Sequence, residues 1–477
     1  MTPDGARLPL DPTRSAAPRR PGDPRPLPRQ RIAVVGAGIA GLGAAWALNR
    51  RHDVTVFEAS GHAGGHAHTV DVDLGGKAVA VDAGFIVYNE RNYPNLTRLF
   101  DEIGAPTQPS RMTFAVSAED GRLEYRGSTR GLFLENPGNL ARADVWRIAR
   151  DVLRFYRAAP ALLETADPAG SLGDCLAAGA YSRAFVDHHI LPMGAAIWST
   201  SPARMLAFPA ESFLRFCANH GLLDLAGRPP WRTVTGGSRE YVRRLIAPLA
   251  ARVHTDRKIL AIERTPLGVS VRDSDGRVEI FDEIVLAGHA DQSLALLGAG
   301  ASGDERRALG AFRYEKNHAV LHTDAGLMPR RRALWSAWNY MSGRDDRLSA
   351  SASVTYWMNR LQDLRTPEPL FISLNPIREP DPDRVLRRFD FDHPSFDAAA
   401  LTAQATLPDI QGRNRTWFAG SYCGYGFHED ALAAGLAVAA ALGAPPPWAG
   451  AITEVSPAAR NATPAAPFAR PVVAAAA

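Results

Sequence analysis

The stretch RIAVVGAGIAGLGAAWALNRRHDVTVFE, residues 31–58, determines the fold class of this 477-residue chain. An apolar strand runs into the pattern Gly36-x-Gly38-x-x-Gly41, an alanine-rich helix follows, and a second strand ends in Glu58. The first glycine allows a tight turn, the second lets the backbone approach a pyrophosphate, and the third lets the helix pack close to the strand. This order predicts a Rossmann-type βαβ unit that binds a dinucleotide.

Two further features of this unit favour a bound nucleotide. The helix N-terminus near Ala40 presents free N–H groups and a partial positive charge to phosphates. Glu58 lies about twenty residues past the glycines, where a carboxylate accepts hydrogen bonds from the ribose hydroxyls. We therefore predict cofactor contacts from Gly36, Gly38, Ala40, Gly41 and Glu58.

A second glycine loop follows this acid. It reads Ala59-Ser-Gly-His-Ala-Gly64-Gly65-His66-Ala-His-Thr69, and Gly84-Phe85 comes shortly after it. This pattern resembles the FAD-dependent amine oxidase and phytoene desaturase superfamily, whose members follow the ribose acid with E-A-x(4)-G-G-R-x-x-T. His66 stands where the superfamily usually has arginine. The resemblance implies FAD as the cofactor, with contacts from Ala59, Gly64, Gly65, His66, Gly84 and Phe85.

Later segments look like other parts of the same superfamily. Residues 253–259 look like a returning strand whose backbone meets the adenine at Ile259. Residues 417–420, followed by residues 427–435, look like the closing signature, in which a strand ends at the flavin and a helix begins beneath its pyrimidine end. Ser421 stands where the superfamily usually has an acid. The resemblance adds to the FAD contacts Ile259, Gly420, Ser421, Phe427, His428 and Glu429.

The resemblance also implies a two-domain α/β fold like that of the amine oxidases, in which a helix-plus-sheet substrate domain interrupts a Rossmann-type FAD-binding domain. Apolar spacing predicts helices at residues 145–165 and 203–223, and alternation predicts strands near Ala319 and Ala352. The predicted segments are 31–99, 231–310 and 405–444 for the FAD-binding domain, and 100–230 and 311–404 for the substrate domain. Residues 1–30 and 445–477 are predicted to be a disordered arm and a disordered tail, because they are rich in Pro, Arg or Ala and have no apolar period.

Composition argues against several classes of partner. The 54 basic and 50 acidic residues leave a net charge of +4, and the arginines are scattered, so no nucleic-acid partner is expected. Three widely spaced cysteines, Cys175, Cys217 and Cys423, are typical of reduced thiols in the cytoplasm. No apolar stretch reaches the length of a transmembrane helix. We expect a cytoplasmic protein, with peripheral contact at the inner face of the membrane as an additional hypothesis.

Two expectations concern the chemistry near the cofactor. His62, His66 and His68 are closely spaced but lie inside the glycine loop, so we predict no metal site. Cys423 is the cysteine near a flavin motif, and family analogy places it at the pyrimidine side of the flavin. Covalent attachment requires the opposite edge, so we predict that FAD binds non-covalently.

The predicted helix at residues 144–159 has an unusual composition. One face of it is predicted to hold Trp146, Leu153 and Tyr156 among four arginines, Arg147, Arg150, Arg154 and Arg157. One interpretation is an interfacial helix on anionic lipid, whose arginines reach the headgroups. The alternative is an amphipathic helix that packs on its own domain.

The nearest resemblance within the superfamily is to bacterial NAD/FAD-binding oxidoreductases, through residues 84–95, 191–199 and 424–430. Genes of that branch often lie beside methyltransferases of the cyclopropane-fatty-acid-synthase type. The resemblance implies an unsaturated fatty acid or phospholipid acyl chain as substrate. The chain also lacks an obvious pair of acids that would anchor a cationic amine, which favours an apolar substrate.

The predicted reaction is hydride transfer from an activated C–H bond to the flavin, which desaturates or isomerises the acyl chain. Candidate residues for receiving the proton are Tyr88, Glu90, His322 and Glu429. Two alternatives stay open, namely an amine oxidase that produces hydrogen peroxide and a non-catalytic lipid-binding protein of the same fold. The oligomeric state is open as well.

Overall fold

The computed structural model describes residues 28–128, 130–165, 170–198, 202–224, 227, 229–344 and 350–449. Residues 1–27 of the predicted arm and 450–477 of the predicted tail lie outside these ranges. Within them, no helix is both long enough and apolar enough to cross a bilayer.

A five-stranded parallel sheet forms the centre of the Rossmann-type domain. Its strands come from all three segments assigned to this domain, and Ile32, Val34, Val54, Val56 and Ile284 are fully buried. Such continuous burial is typical of a parallel sheet covered on both faces. In spatial order the strands are Val253–His254, Asp53–Phe57, Arg31–Val35, Glu283–Leu286 and Thr416–Phe418. A three-stranded antiparallel sheet adjoins it, formed by Ile259–Thr265, Gly268–Asp273 and Val278–Phe281.

Helices cover this central sheet. The first helix, Ile39–Leu48, packs closely against the last, His428–Ala441. A Cβ atom added to Gly435 would lie 2.1 Å from the Ala40 carbonyl oxygen, so the close approach requires glycine there. The other helices of the domain and its connections are Pro94–Ile103, Arg239–Ile246, Ala290–Leu297, Gly303–Leu309, Ala398–Gln404 and Leu407–Ile410.

The substrate domain is built on a seven-stranded sheet. Two of its strands come from the first insertion, residues 100–230, and the other five come from the second insertion, residues 311–404. In spatial order they are Val385–Ser395, Arg313–His322, Phe371–Leu374, Ala350–Trp357, Trp338–Arg344, Phe114–Ala118 and Leu123–Arg126. Two small sheets connect the domains, one formed by Thr69–Asp73 and Ala78–Asp82, the other by Tyr88–Asn89, Trp231–Val234 and Thr107–Ser110.

Helices of the first insertion pack on one face of this sheet. The predicted single helix at residues 203–223 is wrong, because the chain forms two helices, Pro202–Leu206 and Ala210–Asn219. Pro209 separates them, since proline has no N–H group with which to continue the first helix. The remaining helices of the domain are Ala143–Thr165, Leu172–Ala178, Arg183–Phe185, Leu191–Trp198 and Met358–Leu361, with π-helical turns at Arg130–Leu134 and Val186–Ile190.

The predicted start of the tail at residue 445 is also wrong. Trp448 is buried, and its ring stacks on Trp46 with 5.8 Å between the ring centroids. Its indole N–H donates to Asn95 Oδ1 at 3.1 Å. Residues 445–449 therefore belong to the fold, which the surrounding Ala/Pro-rich composition concealed.

Candidate functional site

Two glycines of the first motif are required by the fold itself. Gly36 has φ +105°, and a Cβ atom there would lie 2.9 Å from the Ala287 carbonyl oxygen. A Cβ atom on Gly41 would lie 1.9 Å from the Gly36 carbonyl oxygen. Both contacts involve backbone, which cannot swing aside. The turn between the first strand and the first helix therefore depends on these two glycines.

Gly38 is different, because no protein atom lies within 4 Å of an added Cβ. It precedes the helix Ile39–Leu48 and makes no side-chain cap. Free N–H groups at a helix N-terminus attract phosphate. The open space beside Gly38 therefore fits a pyrophosphate, whereas protein packing does not require glycine at this position.

The carboxylate of Glu58 joins the two glycine loops. Its Oε2 accepts the Ala37 N–H at 2.8 Å, and its Oε1 accepts the N–H and the hydroxyl of Ser60, both at 2.9 Å. A carboxylate has about four acceptor positions, so capacity remains for a ribose hydroxyl. The Arg257 N–H donates to the Glu58 carbonyl at 2.8 Å, which brings the strand that begins at the buried Ile259 beside this acid. Ala59 is exposed at the edge of the same turn.

The second glycine loop lies directly against the first. Gly38 and Gly64 form a parallel backbone bridge, and the Gly64 N–H donates to the Ala37 carbonyl at 2.8 Å. A Cβ atom on Gly65 would lie 3.0 Å from the Gly38 Cα. The two loops therefore form one continuous wall of the candidate site.

His66 carries a buried polar atom without a hydrogen-bond partner among the described residues. Its Nε2 is buried and unpaired, and burial lowers the pKa of the ring to about 3. A neutral imidazole cannot replace the charge of the arginine common in related proteins, but it can donate or accept one hydrogen bond. An unpaired buried nitrogen is costly unless a ligand satisfies it, so this atom also fits a bound cofactor.

The segment Gly84–Phe85 holds the His66 backbone in place. The Phe85 N–H donates to the His66 carbonyl at 2.7 Å. A Cβ atom on Gly84 would lie 2.2 Å from that same carbonyl oxygen, so only glycine allows the contact. The two predicted segments therefore meet around one carbonyl group.

Residues that sequence reasoning missed complete the surroundings of His66. The ring centroids of Phe391 and His393 lie 5.2 and 5.4 Å from that of His66. Both belong to the strand Val385–Ser395 of the substrate domain. The alternation of Phe389, Phe391 and His393 was the available signal, since alternate residues of a strand share one face.

The closing helix, His428–Ala441, begins beside Phe85 of the Gly84–Phe85 segment. The His428 ring stacks on Phe85 with 3.9 Å between centroids, and its Nε2 lies 2.7 Å from the Tyr241 hydroxyl. Burial lowers the pKa of His428 to about 3, so the ring is neutral. Asp430 accepts the N–H of Phe427 at 2.8 Å and caps this helix.

The strand Thr416–Phe418 leads to Gly420 at the same edge of the sheet. The Ala419 N–H donates to the Leu286 carbonyl, and the Ser421 carbonyl accepts the N–H groups of Gly424 and Gly426, both at 3.1 Å. The chain thus turns tightly into the closing helix. In an α/β sheet, the carboxyl ends of the parallel strands form the ligand crevice, and this turn lies at that edge.

Cys423 lies in this turn and is partly buried. Burial raises the pKa of its thiol to about 12. A protonated thiol is a poor nucleophile, so its surroundings favour the non-covalent binding of FAD that we predict. Nearby, the His62 and His68 rings lie 4.2 Å apart. The described part of the chain has no group of three or more His, Cys, Asp or Glu residues placed to hold a metal ion.

The four candidate proton acceptors have separate surroundings. Tyr88 is buried against Tyr93 and Phe100. Glu90 is exposed and lies 3.7 Å from Arg232.

His322 and Glu429 are each engaged in hydrogen bonds. The His322 Nε2 lies 2.8 Å from the Ser373 hydroxyl, and its Nδ1 accepts the Asp324 N–H at 3.1 Å. Glu429 accepts the N–H groups of Asn95 and Leu96 at 2.9 and 3.0 Å, at the start of the helix Pro94–Ile103. These contacts do not bring the four side chains together, and the role of each stays a prediction.

The Glu429 carboxyl is expected to make stability depend on pH. Burial raises its pKa from 4.5 to about 8, so the folded protein holds this proton more tightly than the unfolded chain. Its contribution to stability is full below the unfolded pKa and is lost as pH rises through the folded pKa. We expect the melting temperature of the FAD-loaded protein to fall between about pH 4.5 and about pH 8 and to level off above, where the carboxyl is ionised in both states. The fall should be smaller in Glu429→Gln.

Glu263→Gln serves as the matched control, because Glu263 is exposed in the Rossmann-type domain. The melting temperature should change with pH to the same extent in the control and in the wild type. An unchanged slope in Glu429→Gln would contradict the proposed titration.

Sequence comparisons with known proteins point to one family. The sequence profile of the flavin containing amine oxidoreductases matches residues 39–315. A protein of Mycobacterium tuberculosis named as a flavin-containing monoamine oxidase, AofH, is 27% identical over 265 residues. The alignment covers 52% of this chain and 54% of that protein, so the chain spans about half the length of the curated relatives it matches.

Solved structures with the same fold include proteins with different substrates. A CLA-producing fatty acid isomerase from P. acnes has a TM-score of 0.60 at 17% identity, covering 85% of this chain and 97% of the isomerase. Cyclohexylamine oxidase from Brevibacterium oxydans has a TM-score of 0.63 at 15% identity, covering 87% of this chain and 99% of the oxidase. At such low identity these likenesses show the fold alone, and they confirm the predicted fold class.

Proposed function

We infer that the chain is an FAD-dependent oxidoreductase, because it belongs to the flavin containing amine oxidoreductase family, whose cofactor is FAD. We propose unsaturated fatty acyl chains as its substrates. FAD in the glycine-loop site supplies a two-electron acceptor for a hydride from an activated C–H bond. The net reaction is either desaturation of the acyl chain, which requires O2 or another acceptor to take up the two electrons, or isomerisation, in which the hydride returns to the chain at another carbon. The runner-up is oxidation of an amine with production of hydrogen peroxide, which the name of the mycobacterial relative favours.

The observation that carries the acyl-chain proposal is an aromatic wall formed by Trp198, Phe208, Phe213, Phe216 and Phe427. Phe427 precedes the closing helix, and its ring stacks on Phe216 with 4.7 Å between centroids. Trp198 lies 4.7 Å from Phe216 and 4.8 Å from Phe208. The wall thus runs from the edge of the cofactor site into the helical part of the substrate domain. Trp198, Phe208, Phe213 and Phe216 are buried in the core of the substrate domain. In this proposal the cluster forms the apolar backing of the acyl-chain site, where it would orient the chain and exclude water.

Aromatic rings also attract cations, so a cationic amine would fit this cluster if a buried acid nearby were available to pair with it. The buried acids in the described part of the substrate domain are Glu124, Asp151 and Asp324. Glu124 accepts from the Ser117 hydroxyl and the Arg330 N–H, and Asp151 pairs with Arg150 and Arg154.

Asp324 is occupied in the same way. It accepts the N–H groups of Gly326 and Asp381, at 2.8 and 3.2 Å. The occupation of all three buried acids by the protein itself favours a substrate without an ammonium group, since a buried charge needs a partner.

The proposal assigns further tasks to residues of this chain. The N-terminus of the helix His428–Ala441 carries a partial positive charge and would stabilise negative charge on a reduced flavin bound beside it. A desaturation also releases one proton from the carbon beside the oxidised one. We propose that one of Tyr88, Glu90, His322 and Glu429 accepts it, Glu429 only where it is ionised, above its pKa of about 8. Single replacements of each by an isosteric non-titrating residue would identify it.

Flavin reduction without oxygen tests the substrate class. We expect the yellow absorbance of the anaerobic FAD-loaded protein to be bleached by a fatty acid or phospholipid that carries a double bond, and not by mono-, di- or polyamines. For an isomerase, bleaching is transient and the shifted double bond, detected by mass spectrometry, is the product. Bleaching by an amine with lipids inert would favour the runner-up, and lipid binding without any turnover would favour a non-catalytic lipid-binding protein.

A matched pair of variants tests the wall. Phe216→Leu should slow bleaching by the lipid while keeping FAD bound. Phe155→Leu removes a buried ring of the same domain that packs on Tyr181 and Phe185 instead, so it controls for lost stability. Equal rates in the two variants would argue against the wall as the substrate surface.

A further inference from the structure

Large apolar side chains project from one surface of the substrate domain. Leu134 is 72% exposed, Leu140 54%, Trp146 52% and Leu153 41%. The Trp146 indole N–H donates to the Leu140 carbonyl at 3.0 Å, and its ring lies 4.6 Å from that of Phe133, next to Leu134. We propose that this surface, formed by residues 130–157, docks on an anionic lipid bilayer.

The opposite face of the helix Ala143–Thr165 already has a partner. Val145, Ile148, Phe155 and Tyr156 are buried in the substrate domain. The predicted placement of Tyr156 beside Trp146 on the exposed face is therefore wrong, because its hydroxyl lies 3.3 Å from the buried His189. The helix packs on its own domain through one face and still presents Trp146 and Leu153 outward. These two are seven residues apart, which places them on the same side of a helix.

Charge selects the kind of partner. Residues 130–157 contain six arginines and three acids, a formal net charge of +3. All three acids pair with nearby arginines, Glu135 with Arg126 and Arg130, Asp144 with Arg147, and the buried Asp151 with Arg150 and Arg154. Arg142 and Arg157 are exposed at the two ends of this helical face. The surface therefore matches a negatively charged partner.

The order of the side chains fits lipid. On the outer side of the helix, apolar and basic side chains alternate in the order Trp146, Arg150, Leu153 and Arg157. Tryptophan and leucine can enter the boundary between headgroups and acyl chains, while arginines extend to the phosphates. Each basic residue near an anionic membrane strengthens binding. This proposal does not depend on the acyl-chain substrate, because docking requires no turnover.

Vesicle flotation with the FAD-loaded full chain tests the proposal. We expect binding to vesicles of phosphatidylcholine mixed with phosphatidylglycerol, much weaker binding to phosphatidylcholine alone, and release by salt, which screens exposed charges. The double variant Leu134→Ser, Trp146→Ser should bind at least about tenfold more weakly, since about 1.4 kcal/mol corresponds to a factor of ten. Arg142→Glu with Arg157→Glu should lose the preference for the anionic lipid.

Leu267→Ser is the matched control. Leu267 is 87% exposed in the Rossmann-type domain, between the strands Ile259–Thr265 and Gly268–Asp273, so this variant should bind like the wild type. Unchanged FAD content and melting temperature establish that the variants are folded. Absence of wild-type binding, or equal binding by all variants, would overturn the proposal. Self-association that the same double variant abolishes would instead assign the surface to a second copy of the chain.

Discussion

Replacing Gly38 with valine is expected to remove most of the bound FAD and to leave the polypeptide folded. An added Cβ at Gly38 meets no protein atom within 4 Å, and its φ of −74° and ψ of −179° suit a β-branched residue. The new side chain would occupy the space in front of the helix N-terminus, where we place the pyrophosphate. A loss of affinity of more than about tenfold is expected, which corresponds to about 1.4 kcal/mol.

Gly41→Ala provides the contrast, because its Cβ would lie 1.9 Å from the Gly36 carbonyl oxygen. This variant should lose about 3 kcal/mol or more of stability, since overpacked sites relax poorly. The ratio of flavin to protein absorbance after gel filtration, together with thermal melting, separates the two effects. A Gly38→Val protein that retains full FAD would place the pyrophosphate elsewhere.

Replacing Glu58 with alanine is expected to yield protein with little FAD and a lower melting temperature. The change removes the acceptor for the Ala37 N–H and for the Ser60 N–H and hydroxyl, as well as the ribose contact that we predict. Hydrogen bonds to a charged group contribute about 1.5–3 kcal/mol each. Excess FAD should restore part of the melting temperature, because a ligand that binds only the folded state stabilises it.

Glu58→Gln is the matched control for this prediction. Glutamine keeps the shape and one acceptor oxygen, so its FAD content should lie between those of the alanine variant and the wild type. Full flavin occupancy in Glu58→Ala would show that the assignment of this acid to the nucleotide is wrong.

The local geometry of the two glycine loops could be predicted from the sequence because its constraints are local. Gly36 and Gly41 are imposed by a tight turn between a strand and a helix only a few residues apart, and the glycine spacing records that geometry. Glu58 follows at the end of the next strand, so its position depends on strand and helix length alone. Gly64 and Gly84 belong to the same class, since each lies against a backbone carbonyl within the first ninety residues. The two-domain fold class was implied by the family resemblance that these motifs carry.

Only the tertiary structure determined which distant residues meet. His393 and Phe391 reach His66 across more than three hundred residues of sequence, and the aromatic wall joins Phe427 to Phe216. Trp448 packs on Trp46 although the surrounding composition predicts a tail. In each case the partner depends on the direction in which a side chain leaves its strand or helix and on how whole elements pack, and hydrophobic periodicity specifies neither. Local turn geometry is therefore encoded in short motifs, whereas the aromatic cluster that we propose for substrate binding arises from the packing of segments that no motif connects.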